Sequence, residues 1–126
     1  VTSAHFRKGR YAIALVFLLG GCAAQLEHRN GVQLLKAGKA GDGIEALKRA
    51  SALEPENVAY RMEYLSRRDQ AVQDLRQDAE QLRASGQADA ASQKLREALR
   101  IDPANERARL SLQELDTDRR VAMALQ

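Results

Sequence analysis

Leu47-Lys48-Arg49-Ala50-Ser51-Ala52-Leu53-Glu54-Pro55-Glu56-Asn57 returns 48 residues later as Leu95-Arg96-Glu97-Ala98-Leu99-Arg100-Ile101-Asp102-Pro103-Ala104-Asn105. Each version carries leucine, a base, alanine, a branched aliphatic residue, an acid, proline and asparagine in the same order. The same offset pairs Gly38 with Gly86, Leu34 with Leu82, and the small Gly31 with Ala79. Glycine adopts positive φ without steric cost, so it reverses the chain after a helix. Proline lacks an amide donor and ends the helix in front of it. Asn57 and Asn105 then serve as N-caps for the helices that follow. The predicted unit is helix, glycine turn, helix, proline stop, and it occurs twice.

Between Pro55 and Gly86 there is no Gly or Pro, which predicts one long helix from about Val58 to Ser85. Its apolar positions Val58, Met62, Leu65, Val72, Leu75, Ala79 and Leu82 follow helical spacings. Arg67, Arg68 and Asp69 interrupt that stripe and read as a solvated turn, or the place of a kink. A closing helix follows Pro103, from about Asn105 to Leu125, with Ala108, Leu112, Leu115, Val121 and Leu125 as its inward face. The abundance of Ala, Leu, Gln, Glu and Arg favours helix, and β-branched residues are too sparse for strands. The expected fold class is all-α.

These hairpins resemble the tetratricopeptide repeat, a helical pair of about 34 residues. With Pro55 and Pro103 in register, the units span about 24–57 and 72–105. The resemblance puts small residues where the family packs its two helices closely: Gly31, Gly43 and Ala50, then Ala79, Ala91 and Ala98. Leu34 and Leu47, and Leu75, Leu82 and Leu95, take the larger core positions. Glu27 stands where the family carries a large aromatic in the first unit, which is also rich in glycine. The first unit is therefore expected to be the weaker. Two repeats fall below the roughly three that make a solenoid self-sufficient, so the closing helix is expected to act as a partial cap.

The N-terminus carries a different kind of signal. Arg7, Lys8 and Arg10 precede nine apolar residues, Tyr11 to Leu19, and Leu19-Gly20-Gly21-Cys22 follows. A basic region, a short apolar region and small residues before a cut make a secretory signal. Nine helical residues span about 14 Å, against a hydrocarbon core of about 30 Å, so a permanent span is not expected. Leu-Gly-Gly-Cys resembles a bacterial lipobox, which implies lipidation of Cys22. The expected organisation is a signal peptide over 1–21, a lipidated tether over 22–26, and a helical domain over 27–126. Ala23, rather than Asp, follows the cysteine; by resemblance to enterobacterial sorting signals this implies an outer-membrane lipoprotein facing the periplasm. One acyl chain binds membranes only marginally, and the lipoprotein modification implies more than one.

Charge changes meaning once that segment is set aside. The whole chain carries +3, but residues 1–21 hold three Lys/Arg and no Asp/Glu. The other 105 residues hold 17 of each sign, so no basic excess is left for nucleic acid. Cys22 is the only cysteine, which excludes an intramolecular disulfide.

Catalytic chemistry has little material here. The histidines are His5, within the signal, and His28. A single remaining His with no free thiol does not supply the ligand set of a zinc site. Gly38-Lys39-Ala40-Gly41-Asp42-Gly43 lacks the Gly-Lys-Ser/Thr ending of a phosphate loop and reads as a turn between helices. Glu54 with Glu56, and Asp116 with Asp118, read as solvated surface. The reading is a non-enzyme with no cofactor, no metal and no small-molecule substrate. Tyr60 and Tyr64, the only aromatic residues after the signal, are the first candidates for a partner contact. Core packing serves equally well as an account of them.

The order of lipobox, first repeat, Asn57-Val58-Ala59-Tyr60-Arg61, an Arg/Gln-rich helix, second repeat, Ile101-Asp102-Pro103-Ala104-Asn105-Glu106-Arg107-Ala108-Arg109 and Asp118-Arg119-Arg120 carries a closer resemblance. It is similar to the N-terminal region of secretin-type outer-membrane lipoproteins of type II secretion or type IV pilus systems. The resemblance implies a scaffold that holds protein partners in such a machine. A secretin continues into ring domains and a barrel, so the chain reads as an N-terminal fragment, the product of a truncated gene, or a free-standing relative. The alternatives are an adaptor or pilotin-like lipoprotein, or an accessory to a cell-wall enzyme.

Overall fold

The computed structural model describes the main chain from residue 6 and the side chains from residue 21, in both cases through residue 126. Five helices follow in order: α1 Phe6–Lys36, α2 Ala40–Leu53, α3 Val58–Ala84, α4 Ala88–Ile101 and α5 Glu106–Ala124. They pack as antiparallel pairs, and the described residues contain no strand. The chain divides into two compact units, Val1–Tyr64 and Leu65–Gln126.

The turns behave as their residues dictate. Gly38 and Gly86 have φ of 77° and 78°, the only positive values among the described residues. At the end of α1, the Gly38 amide donates to the Leu35 carbonyl and the Lys39 amide to that of Leu34, at 3.1 and 2.9 Å. At the end of α3, Gly86 donates to Arg83 and Gln87 to Leu82, at 3.0 and 2.8 Å. This double bonding around a left-handed glycine satisfies carbonyls that a helix end leaves open. The proline turns also match. Asn57 Oδ1 accepts from the Tyr60 amide at 3.2 Å, and Asn105 Oδ1 from that of Ala108 at 3.0 Å. Each asparagine also donates to the acid three residues back, Glu54 or Asp102, at 2.9 and 3.3 Å. One side chain thus caps the new helix and fastens the turn that leads into it.

In the first unit, Gly31, Gly43, Ile44, Ala46, Leu47 and Ala50 are buried. A Cβ added at Gly31 would lie 2.9 Å from Leu47 Cγ and 3.0 Å from the Gly43 carbonyl oxygen. One added at Gly43 would lie 2.8 Å from Leu35 Cγ and 3.0 Å from the Gly31 carbonyl oxygen. The α1 and α2 backbones touch at this pair because neither residue has a side chain. Leu34 is half-buried at the margin of the contact. In the second unit the core is Val72, Leu75, Ala79, Ala91, Leu95, Ala98, Ala108 and Leu115, with Leu82 and Leu112 packed against it. Four ion pairs tie its helices: Asp78 with Lys94, Arg83 with both Glu114 and Asp118, and Asp89 with Arg119.

Some expected positions differ. Val58 and Met62, read as inward, are 60% and 58% exposed; the inner face over these turns is Tyr60, Glu63 and Tyr64, all half-buried. Val121 and Leu125, read as the inward end of α5, are exposed as well. Residues 22–26, read as a tether, lie within α1, and Ala24 is fully buried. Ala, Gln, Leu and Glu are strong helix formers, so this stretch continues into the helix that follows. Helix α3 runs unbroken through Arg67–Asp69, where Arg68 pairs with Asp69 on an exposed turn.

Candidate functional site

Of the residues singled out in the sequence, Leu19 and Gly20 lie outside the described side chains, as do His5 and the rest of the signal-like segment up to residue 20. Cys22 is described, in α1, with an exposed side chain. Its neighbour Gly21 is half-buried, and a Cβ there would lie 3.2 Å from Glu54 Oε1. The middle of α1, at Gly21, therefore stands beside the Glu54–Asn57 turn. No helix among the described residues is long and apolar enough to cross a membrane.

The most developed polar cluster of the first unit is built on His28. Its Nε2 lies 2.6 Å from Glu63 Oε2, and its ring stacks on Tyr60 with centroids 4.8 Å apart and planes 22° apart. The α1 helix supplies His28, and the first two turns of α3 supply Tyr60 and Glu63, aimed inward by the start that the Asn57 cap sets. Next to His28, Glu27 approaches Arg49 of α2, with Nη2 to Oε2 at 3.1 Å. That pairing holds the Arg49 guanidinium above its ordinary pKa, chiefly through the hydrogen bond to Glu27. Two polar links thus join α1 to α2 and to the start of α3.

This arrangement changes the standing of the two tyrosines. Tyr60 is engaged as a packing partner of His28 rather than standing free on a surface, and Tyr64 is half-buried. Glu63 and Arg49 were not singled out in the sequence, and their partners lie 35 and 22 positions away. The one local hint was Glu27: a carboxylate at a position expected to be aromatic calls for a nearby cation.

In the second unit, a groove of about 370 Å³ runs beside the Asp102–Asn105 turn, bordered by Asp69, Gln73, Arg76 and Arg107. Asp69, Asp102 and Glu106 line it together with Arg76 and Arg107, so neither sign of charge dominates. No group of three or more His, Cys, Asp or Glu residues is placed to hold a metal ion among the described residues. No protein-family model matches the chain, and no curated protein matches it.

Proposed function

We propose that the chain is a lipid-anchored, periplasm-facing scaffold of tetratricopeptide-like hairpins that holds protein components of a bacterial secretion or pilus-assembly system. It is not an enzyme. The observation that carries the reading is Cys22, at the end of Leu-Gly-Gly-Cys and behind a basic and apolar leader, joined to helical hairpins. The finer repeat assignment draws support from the matched glycine turns at Gly38 and Gly86 and the matched caps at Asn57 and Asn105. It also draws support from the small residues that meet where α1 and α2 cross. Helical hairpins of this kind offer surfaces for protein segments without any catalytic group, which suits a scaffold.

Cys22 gives the direct test. In a bacterium fed a labelled fatty acid, the chain takes up label, and Cys22→Ser abolishes it and leaves unprocessed precursor. Label that persists in the variant overturns the anchor. The scaffold role is tested by pull-down of purified secretin periplasmic domains with the full chain, scored by retention through washing. Absence of binding overturns the secretion assignment.

A further inference from the structure

Among the described residues of the first unit, the large apolar side chains left in water sit toward the level of Cys22. Leu26 is 69% exposed, Leu53 46%, Val58 60% and Met62 58%. Loose packing does not account for them, because Ile44 and Leu47 in the same unit are each 1% exposed. The approach of Gly21 to Glu54 locates that level: α1, at Gly21 and Cys22, lies beside the turn from α2 to α3. Leu53 and Val58 flank this turn. Leu26 lies four residues beyond Cys22 on α1, or about 6 Å along the axis. His28 is level with Tyr60 and Glu63, which puts Met62 about 9 Å along the axis from Cys22. The opposite end, at the Gly38 turn, is about 24 Å from Cys22. It exposes Gln33, Lys36 and Lys39 and no large apolar side chain.

We infer that the Cys22 end of the first unit seats in the headgroup region of a lipid bilayer, with Leu26, Leu53, Val58 and Met62 as its apolar contacts. The occupant is a lipid surface because the exposed Cys22 lies at the same end; this rests on the lipid-anchor reading above. Acyl chains leaving Cys22 hold the bilayer beside all four side chains, and interfacial seating reaches a depth of about 5–10 Å. Arg29 and Arg61 are exposed here, but so is Glu56. The contact is therefore mainly apolar and persists in high salt.

The chain contains no tryptophan, so one introduced residue reports its surroundings without background. Met62→Trp, Val58→Trp and Lys36→Trp, each in the full chain, are expressed in a bacterium and extracted from the envelope. They are then reconstituted into vesicles of phosphatidylethanolamine and phosphatidylglycerol. Met62→Trp and Val58→Trp shift to the blue and lose intensity when the acyl chains are brominated, whereas Lys36→Trp keeps its aqueous emission. If the two α3 probes stay aqueous on vesicles while Cys22 carries fatty-acid label, the docking surface is refuted and the anchor stands. Quenching at Met62 without label on Cys22 keeps the surface and refutes the anchor. Equal quenching at Lys36 refutes the assignment to this end.

Discussion

Replacing Gly43 with alanine sets helix propensity against packing at one position. Alanine is better than glycine inside a helix by about 1 kcal/mol, which by itself favours the variant. The new Cβ, however, falls 2.8 Å from Leu35 Cγ and 3.0 Å from the Gly31 carbonyl oxygen. The leucine can turn aside, but the carbonyl belongs to the backbone of α1 and moves only with that helix. Overpacking of this kind costs about 1–3 kcal/mol, so Gly43→Ala is expected to lose about 1 kcal/mol net. For a unit of this size that lowers the melting temperature by roughly 4–8 °C. Gly41→Ala is the control, since it lies in the same helix and an added Cβ meets nothing within 4 Å. It should gain up to about 1 kcal/mol, reduced by its place in the first turn. Thermal melts followed by far-UV circular dichroism separate the two, one variant on each side of the parent. If Gly43→Ala melts at or above the parent while Gly41→Ala rises, the glycine pair does not set the approach of α1 and α2.

Three further outcomes follow from local geometry. Asn105→Ala removes the cap of α5 and the tie to Asp102, and a urea melt should show a loss of about 1 kcal/mol. Leu95→Ala opens a cavity in the core of the second unit, where Leu95 is 1% exposed; it should cost about 2–5 kcal/mol, read from the same urea melts. Glu106 is held below its ordinary pKa of 4.5, first by the hydrogen bond from Arg109. A depressed carboxylate contributes stability above its unfolded pKa and loses it as pH falls through the folded value. The stability difference between the parent and Glu106→Gln should therefore vanish in acid; a difference that holds constant across that range contradicts it.

What could be read in the sequence was whatever rests on a residue's own backbone chemistry. Gly38 and Gly86 turn the chain with positive φ, and Asn57 and Asn105 cap helices, because both roles require only near neighbours. The small residues at Gly31 and Gly43 were also legible, since nothing larger tolerates so close an approach.

The first turns of α3 resisted reading because periodicity counts only apolar residues. Val58 and Met62 are the apolar residues there, and an apolar stripe assigns them to the inside. Capping at Asn57 fixes where the helix starts, and from that start Tyr60 and Glu63 turn toward α1. A half-buried carboxylate is tolerable only with a partner, and His28 supplies it from 35 residues away. Neither residue looks inward alone; together they take the inner face and leave Val58 and Met62 outside. The same step that hid this cluster produces the apolar margin near Cys22. Polar pairing inside and apolar exposure outside are thus two sides of one helix orientation. Glu63→Leu tests that link: if the pair alone decides the facing, a Met62→Trp probe should lose its exposed emission in the variant, and unchanged emission would show that the Asn57 cap is sufficient.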